Sequence, residues 1–262
     1  MSHSYNAAAD AELDSTPFWR VSEVETEADA HFWKRKHVMI GAALWVVGAA
    51  LLALVSVNAH RYPEFPLDVP ITSFIQSLHQ PALKAFVNFS SDANWPRPAG
   101  ITAIVIIVVL AVIRHFRAAI CAAFSGFGAD FVNVTLNGIV ARPRPNNVHI
   151  QVVAHLGLHS FPSGHATHVI AFYGFLLYFC IRQMQLHPTW RPWLWIPVTI
   201  CTYFIIFIGP SRVLQGEHWP SDVLGSYLIG ALMLTIAIAL YHLMAMVWLH
   251  YRSTSQKHAL AA

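Results

Sequence analysis

Six long apolar segments divide the chain from residue 38 onward. They cover residues 38–57, 99–113, 118–139, 166–181, 193–209 and 223–249. A helix that crosses the hydrocarbon core of a membrane needs about 20 mainly apolar residues. The second segment is shorter than that and needs its flanks in order to span. The pattern predicts an all-α fold, a bundle of six transmembrane helices.

The stretch between the first two segments has a weaker, helical periodicity. Between Asp68 and Ser91, Pro81 interrupts a series of apolar positions at helical spacing, namely Ile71, Phe74, Ile75, Leu78, Leu83, Phe86 and Val87. Such amphipathic segments lie at a membrane surface more readily than they cross it. We therefore expect short interfacial helices in this first outward loop.

The composition fits a lipid environment and excludes several other classes of protein. Of the 262 residues, 56% are hydrophobic and 11% are charged, whereas a soluble domain carries about 25% charged residues. The 16 Phe, 9 Trp and 8 Tyr exclude a disordered chain. The net charge of +3 comes from scattered basic residues, so no nucleic-acid partner is expected. No cofactor is expected either, and three cysteines lie in apolar stretches without metal-ligand spacing, namely Cys121, Cys180 and Cys201.

Charge along the chain predicts three parts and an orientation. Residues 1–37 are polar and lack a long apolar run, which favours a cytoplasmic segment over a signal peptide. Residues 38–250 are the predicted membrane domain, and residues 251–262 a cytoplasmic tail. Ten of the sixteen Lys and Arg residues fall on the side of the N-terminus, which predicts cytoplasmic termini in a cytoplasmic (inner) membrane. The outward loops are then 58–97, 140–165 and 210–222.

Polar chemistry is concentrated at the outward ends of the spans, in three segments. They are Arg142-Pro143-Arg144-Pro145, Pro162-Ser163-Gly164-His165, and Ser211-Arg212 followed by His218 and Asp222. Arginine presents forked donors that match phosphate oxygens. Ser163 and Gly164 open a helix, where free backbone N–H groups and the helix dipole favour an anion. Together these features indicate a phosphate site.

Two histidines supply candidate catalytic groups. Asp222 falls in the first turn of the last span, where its carboxylate can reach back to His218. A carboxylate fixes the tautomer of an imidazole and leaves the other ring nitrogen free as a nucleophile or base. His165 offers a second imidazole from another loop, so the two rings could divide the roles of nucleophile and acid–base catalyst.

These motifs resemble those of the type 2 phosphatidic acid phosphatase (PAP2) superfamily, integral-membrane lipid phosphatases that share an active-site plan with vanadium haloperoxidases. The family pattern is Lys, six residues, Arg-Pro; then Pro-Ser-Gly-His; then Ser-Arg, five residues, His, three residues, Asp. Residues 162–165 and 211–222 match the second and third motifs in full. The resemblance covers roughly residues 70 to 235.

The first motif is only partly kept, because its lysine is absent. Matching Arg-Pro to Arg144-Pro145, the preferred alignment, places Asn137 at the lysine position. Matching it to Arg142-Pro143 places Thr135 there instead. In either alignment one basic phosphate contact is lost.

The resemblance implies a mechanism and a substrate class. His218 would attack phosphorus while Asp222 holds its ring, and His165 would protonate the leaving oxygen and then activate water. The phosphate oxygens would be bound by Arg144, Arg212, Ser163 and Gly164. No metal is required in this mechanism, because arginines and helix N–H groups supply the positive charge. The expected substrate is a lipid phosphomonoester or pyrophosphate at the outer face, of the phosphatidate, phosphatidylglycerol phosphate, undecaprenyl pyrophosphate or lipid A type.

Two other functions stay open, as do simpler interpretations of single residues. A lipid phosphotransferase of the same fold would pass the phosphoryl group to a lipid, and a lipid-phosphate binding or transport protein would have lost turnover with the lysine. Arg142 and Arg144 could be headgroup anchors. His218 and Asp222 could be a structural pair, and Ser163 an ordinary helix cap.

Other polar residues near the motifs have no assigned chemistry. Asp130 lies in the middle of the third span, where a carboxylate usually faces a partner or water. Interhelical packing is the preferred interpretation, and a role in replacing the lysine or in substrate entry is the alternative. Three histidines match no motif position and are expected to support the site or lie on the surface, namely His155, His159 and His168. The oligomeric state is not predicted.

Overall fold

The computed structural model describes residues 23–30, 35–78, 80–153 and 159–261. These residues form nine α-helices and one short 3₁₀ helix, with no β-strand among them. The helices are α1 Glu23–Ala30, α2 Arg35–Arg61, α3 Asp68–Gln76, α4 Pro81–Ala93, α5 Pro96–Val112, α6 Phe116–Val140, α7 Gly164–Leu186, α8 Arg191–Leu214 and α9 Pro220–Ala261. The 3₁₀ helix Pro188–Trp190 leads into α8. The predicted all-α fold is confirmed.

Each predicted span corresponds to one of the long helices. Helices α2, α6, α7, α8 and α9 are each long and apolar enough to cross a membrane. Helix α5 has 17 residues and meets α4 at a bend of 66°. The two helices α3 and α4 are the predicted short helices of the first loop, and Pro81 begins α4, as proline at a first helical turn permits. The predicted helical membrane bundle with short helices in that loop is confirmed, with five spans, or six if α4 and α5 cross together as one bent pair.

The first and last described helices extend the bundle at the end opposite the three motif segments. Helix α9 runs without a break from Pro220 to Ala261, so most of the predicted tail continues the last span. In α1, the buried Asp29 carboxylate pairs with Arg117 of α6 and Arg182 of α7. Residues 1–22, 31–34 and 262 lie outside the described residues, and the three-part division of the chain stays a prediction.

Helix α7 is the centre of the bundle. Its side chains are buried along most of its length, between α6, α8 and α9. The core there is largely aromatic, and includes Phe172, Phe175, Phe179, Phe204 and Tyr241. Burying aromatic rings stabilises the fold through their large apolar area. A rigid α7 fixes the position of its N-terminus, where the Pro-Ser-Gly-His motif lies.

Two glycines allow the helices beside that motif to pack closely. A Cβ on Gly225 of α9 would lie 2.3 Å from the ring of Phe161. A Cβ on Gly209 of α8 would lie 2.5 Å from the hydroxyl of Tyr227 on α9. Since real Cβ atoms do not approach other atoms so closely, a side chain at either position would force Phe161 or Tyr227 to shift. The contact at Gly225 seats Phe161 directly before the motif.

Candidate active site

The three motif segments meet at one end of the bundle. Helix α6 ends at Val140, α7 begins at Gly164, α8 ends at Leu214 and α9 begins at Pro220. Ala141, in the left-handed conformation with φ of 50°, closes α6 and turns the chain towards the motif arginines. The residues predicted to share a site therefore come from four helix ends on one side of the bundle.

His218 has a defined tautomer. Its Nδ1 lies 2.7 Å from the backbone carbonyl oxygen of Ser160. Because a carbonyl only accepts hydrogen bonds, Nδ1 carries the proton and Nε2 keeps its lone pair. Burial lowers the pKa of His218 from 6.5 to about 4, with Asp222 opposing this shift and the nearby Arg212 and Arg144 adding to it. The ring is therefore neutral near pH 7, as a nitrogen nucleophile must be.

Arg144 lies against the free nitrogen of that ring. Its Nη1 donates to the carbonyl oxygen of Glu217 at 2.8 Å and lies 3.4 Å from His218 Nε2. Burial lowers the pKa of Arg144, and Asp222 raises it. An arginine remains a cation at neutral pH even so. The arrangement places a guanidinium beside the nitrogen that would attack phosphorus.

Asp222 contacts His218 less directly than the sequence predicted. Its Oδ2 is 3.8 Å from His218 Nδ1, beyond hydrogen-bonding distance. Oδ2 instead accepts from the hydroxyl of Ser160 at 2.8 Å and from the backbone N–H of Trp219 at 2.8 Å. The physical reason is that the Ser160 carbonyl already occupies Nδ1. Asp222 thus holds Ser160, and Ser160 holds the imidazole.

Arg142 is a buried structural arginine. It donates to Asp222 Oδ1 at 2.5 Å, to Asp68 Oδ2 at 2.8 Å and to the hydroxyl of Ser221 at 2.7 Å. Asp68 in turn accepts from the backbone N–H of Ser221 in the first turn of α9. These contacts, and the burial of the side chain, do not fit an exposed headgroup anchor. Of the two motif arginines, Arg144 is the one beside His218.

Arg212 is buried and already contacts a carboxylate. Its guanidinium donates to Glu217 Oε2, to the hydroxyl of Ser91 at 2.6 Å and to Gln215 Oε1 at 2.9 Å. An anionic ligand bound by Arg212 would compete with Glu217 for the same donor. Glu217, which the sequence interpretation did not single out, therefore belongs to the site.

Three buried polar atoms of the predicted site residues have no hydrogen-bond partner among the described residues. They are Ser163 Oγ, His165 Nε2 and Arg212 Nε. Buried polar atoms are nearly always hydrogen-bonded, so these three are available to a ligand or to water. His165 packs against Trp95 with its ring tilted, the ring centroids 5.1 Å apart, and lies within electrostatic range of His218. The backbone N–H of Ser163 is already bonded to Ser226 Oγ at 2.7 Å, while Gly164 is exposed at the start of α7.

Asn137, at the position of the absent lysine, fastens the loop before the motif. Its Nδ2 donates to the carbonyl oxygens of His159 at 3.0 Å and of Phe161 at 3.1 Å, which flank Ser160. The amide therefore fixes the residue that contacts both His218 and Asp222. The alternative position, Thr135, bonds only to its own helix, with Oγ1 donating to Phe131 O at 2.9 Å.

The intramembrane Asp130 pairs with a histidine of the next helix. Its Oδ2 lies 2.9 Å from His168 Nδ1, and Asn133 donates to the Thr167 hydroxyl at 2.9 Å beside it. These bonds join α6 to α7 and support the packing interpretation of Asp130. The buried His168 is thus a partner of Asp130, the exposed His159 contributes its backbone carbonyl, and His155 lies outside the described residues.

The structure adds three residues to those predicted. Ser160 binds His218 and Asp222, Asp68 binds Arg142 and Ser221, and Glu217 binds Arg212. Signals for two of them were present: Glu217 directly precedes a motif histidine, and Ser160 lies two residues before a motif proline. No sequence signal connects Asp68 with Ser221, 153 residues away. Among the described residues, no group of three or more His, Cys, Asp or Glu side chains could hold a metal ion.

Comparison with known proteins identifies the family. The model of the PAP2 superfamily matches residues 118–246. Phosphatidylglycerophosphatase B of Bacillus subtilis is 30% identical over 108 residues, which cover 41% of this chain and 50% of that protein. Lipid A 1-phosphatase of Rhizobium johnstonii is 33% identical over 116 residues, which cover 41% of this chain and 40% of that protein. The chain thus matches half or less of these relatives' length.

Two solved structures share the fold. A transmembrane PAP2-type phosphatidylglycerolphosphate phosphatase from Bacillus subtilis aligns with a TM-score of 0.62 at 20% identity, over 74% of this chain and 93% of that one. LpxE of Aquifex aeolicus aligns with a TM-score of 0.52 at 18% identity, over 67% and 97% respectively. These matches confirm the predicted resemblance to the PAP2 superfamily over residues 118–246, and the chain is a multi-pass integral membrane protein.

Proposed function

We propose that this protein is a membrane phosphatase that hydrolyses a lipid phosphomonoester or pyrophosphate through a phosphohistidine on His218. One observation carries the proposal. The neutral His218 Nε2 lies beside Arg144, at the same end of the bundle as Ser163, His165 and Arg212, each of which has a buried polar atom without a partner among the described residues. A tetrahedral phosphate offers several acceptor oxygens and would satisfy such donors.

In the first step, His218 Nε2 attacks phosphorus and a P–N bond forms as the P–O bond to the leaving group breaks. His165 donates a proton to the departing oxygen. Arg144, Arg212, Ser163 and the Gly164 backbone bind the other phosphate oxygens, so charge is stabilised by groups that are already in place. The imidazole becomes positively charged, which the nearby Asp222 carboxylate favours.

In the second step, His165 accepts a proton from water, whose oxygen attacks phosphorus. The P–N bond breaks, inorganic phosphate leaves, and His218 recovers its lone pair. Asp222 acts through Ser160, since Ser160 Oγ donates to Asp222 and Ser160 O accepts from His218 Nδ1. No metal ion takes part in either step.

A lipid substrate is supported by the position of the site and by the relatives. The site lies at the ends of membrane spans, where a headgroup phosphate would be found. The named relatives are phosphatases of phosphatidylglycerophosphate and lipid A. We place the site on the outer face of the cytoplasmic membrane, because most basic residues lie on the opposite side.

Phosphate release by the purified full-length protein in detergent tests the proposal. On a panel of lipid phosphates and pyrophosphates with excess EDTA, wild type should release phosphate. His218→Ala should lose about 10⁴-fold in rate and Asp222→Ala about 10²-fold or more. The matched control is His159→Ala, an exposed neighbouring histidine, which should keep wild-type activity. Acid-labile, base-stable labelling of wild type by a ³²P-lipid, absent in His218→Ala, identifies the intermediate.

Three outcomes would contradict parts of this proposal. Equal activity of wild type and His218→Ala would overturn the assignment of the nucleophile. Loss of wild-type activity in EDTA would overturn metal independence. Transfer of label to a second lipid, with little free phosphate, would reassign the protein as a phosphotransferase of the same fold.

A further inference from the structure

The end of the bundle opposite the candidate active site contains a cavity with basic walls. It has a volume of about 540 Å³ and lies between the start of α6 and the second half of α9. Its lining includes Arg114, Phe116, Arg117, Met244, Trp248 and Arg252. Helix α6 has 25 residues and is about 37 Å long at 1.5 Å per residue. The cavity and the motif arginines are therefore separated by about the thickness of a membrane.

Among the described residues, the ion-paired groups behind this cavity are not balanced in charge. Asp29 is fully buried, and its two carboxylate oxygens bind Arg117 Nη2 at 3.1 Å and Arg182 Nε at 3.0 Å. Two guanidinium groups thus share one carboxylate, which leaves a formal surplus of one positive charge. Buried charges are costly unless they are paired. A further anion beside Arg117 would complete the pairing.

Arg117 also has an unused donor. Its Nη1 is buried and has no hydrogen-bond partner among the residues that the structure describes. Arg114 is exposed and also lines the cavity. Among the described residues it has no ion-pair partner. An anion in the cavity could accept from both arginines.

The other walls fit a hydrocarbon chain. Phe116 and Trp248 are 59% and 43% exposed and lie beside the basic groups, at the ends of two spans. Basic pockets between transmembrane helices at headgroup depth bind anionic lipid headgroups. Guanidinium donors next to exposed aromatic and aliphatic surface suit a molecule with a phosphate at one end and an acyl chain at the other.

We propose that this cavity binds the phosphate of an anionic phospholipid from the leaflet on that side of the membrane. The site is separate from the candidate active site, and its occupation does not depend on the proposed catalytic function. The guanidinium groups of Arg117 and Arg114 donate hydrogen bonds to the phosphodiester, while Arg117 keeps its ion pair with Asp29.

Lipid binding to the purified full-length protein, measured by native mass spectrometry from detergent, tests this site. The probes are dioleoylphosphatidylglycerol, dioleoylphosphatidylcholine with the same acyl chains, and inorganic phosphate. Wild type should retain phosphatidylglycerol in preference to phosphatidylcholine. Arg117→Gln should weaken phosphatidylglycerol binding about tenfold or more, the value of one charge-assisted hydrogen bond. This variant leaves Asp29 and Arg182 as a balanced pair, so we expect it to fold.

Arg114→Gln and Arg191→Gln complete the test. Arg114 is exposed, so its loss should not affect folding and should weaken binding about fivefold. Arg191 begins α8 on the same side, donates to the Met184 carbonyl oxygen and does not line the cavity. Its replacement should leave phosphatidylglycerol binding unchanged. Equal phosphatidylglycerol affinity in wild type, Arg114→Gln and Arg117→Gln would overturn the site. Equal binding of phosphatidylcholine, or equally tight binding of phosphate alone, would overturn its assignment to an anionic lipid.

Discussion

The two ends of the bundle contain buried ion networks of opposite stoichiometry. At the candidate active site, Arg142 lies between two carboxylates, Asp68 and Asp222. At the other end, Asp29 lies between two guanidinium groups, Arg117 and Arg182. The first network has a formal charge of −1 and the second a formal charge of +1. The Asp222 carboxylate beside His218 favours a positively charged imidazole, whereas surplus positive charge beside a cavity favours a bound anion.

The comparison also separates structural from chemical arginines. Arg142 and Arg144 are two residues apart, yet every described polar contact of Arg142 is to the protein interior, while Arg144 lies against His218 Nε2. Four of the five N–H donors of Arg142 are bonded to the protein, which leaves little capacity for a substrate. Each of the two arginines precedes a proline in the sequence, so only their hydrogen-bond partners distinguish them.

The largest expected effect comes from breaking the Arg142 network. Arg142→Met leaves two carboxylates buried without their guanidinium, and removing one partner of a buried ion pair costs about 3–5 kcal/mol. We expect a large fall in the melting temperature in detergent, with activity lost together with the fold. Arg144→Gln should melt near wild type and lose about 10²- to 10³-fold in phosphate release, the value of one donor to a transition-state oxyanion. A wild-type melting temperature for Arg142→Met would contradict the structural role.

A smaller loss of activity is expected from replacing Asn137, whose side chain holds the loop before α7 in place at the candidate active site. Asn137→Ala removes both bonds to the carbonyls that flank Ser160, so kcat should fall about tenfold while KM changes little. Asn137→Lys should not exceed wild type, because the amide's two bonds position the loop. The matched control is Thr135→Ala, two residues earlier on α6, which should keep wild-type kcat. A large gain from Asn137→Lys over a barely active wild type would favour a protein that has lost turnover.

The fold could be predicted from the sequence because its signals are local. Six apolar segments and the break at Pro81 gave every span and both short helices. The joining of α4 and α5 into one bent span was not predicted, since the 66° angle depends on how two helices pack around residues 94–95. The motif positions of His165, Arg212 and His218 could be read from spacing.

The hydrogen-bond partners at the site could not be predicted in the same way. His218 Nδ1 lies 2.7 Å from the Ser160 carbonyl oxygen and 3.8 Å from Asp222 Oδ2. A difference of about an ångström therefore decides whether Asp222 acts on His218 directly or through Ser160. Motif spacing determines which residues meet, but not which atoms bond. The ion pair between Arg212 and Glu217 could not be predicted either. The two residues are five apart in the sequence, and only the turn after α8 brings their side chains together.

Glu217 sharpens the comparison of the two ends. With its carboxylate on Arg212, the three motif arginines are matched in number by the carboxylates of Asp68, Asp222 and Glu217, so these six groups carry no net charge. Glu217→Gln removes one negative charge next to the phosphate site. We expect KM for a lipid phosphate to fall about threefold, with Glu64→Gln, an exposed glutamate on the same side, as the control. A raised KM in Glu217→Gln would show that the carboxylate assists substrate binding.

The smallest expected effect is an absence of change with pH. Because burial lowers the pKa of His218 to about 4, its Nε2 remains unprotonated as pH falls from 7 to 5, and only below that does the nucleophile become protonated. With kcat/KM corrected for the substrate's own ionisation, measured separately, the acid limb due to His218 should lie near pH 4. An ordinary histidine would place it near 6.5. A limb near 6.5 would mean that the ring is solvated in the working enzyme, and that the negative network beside it is not sealed from water.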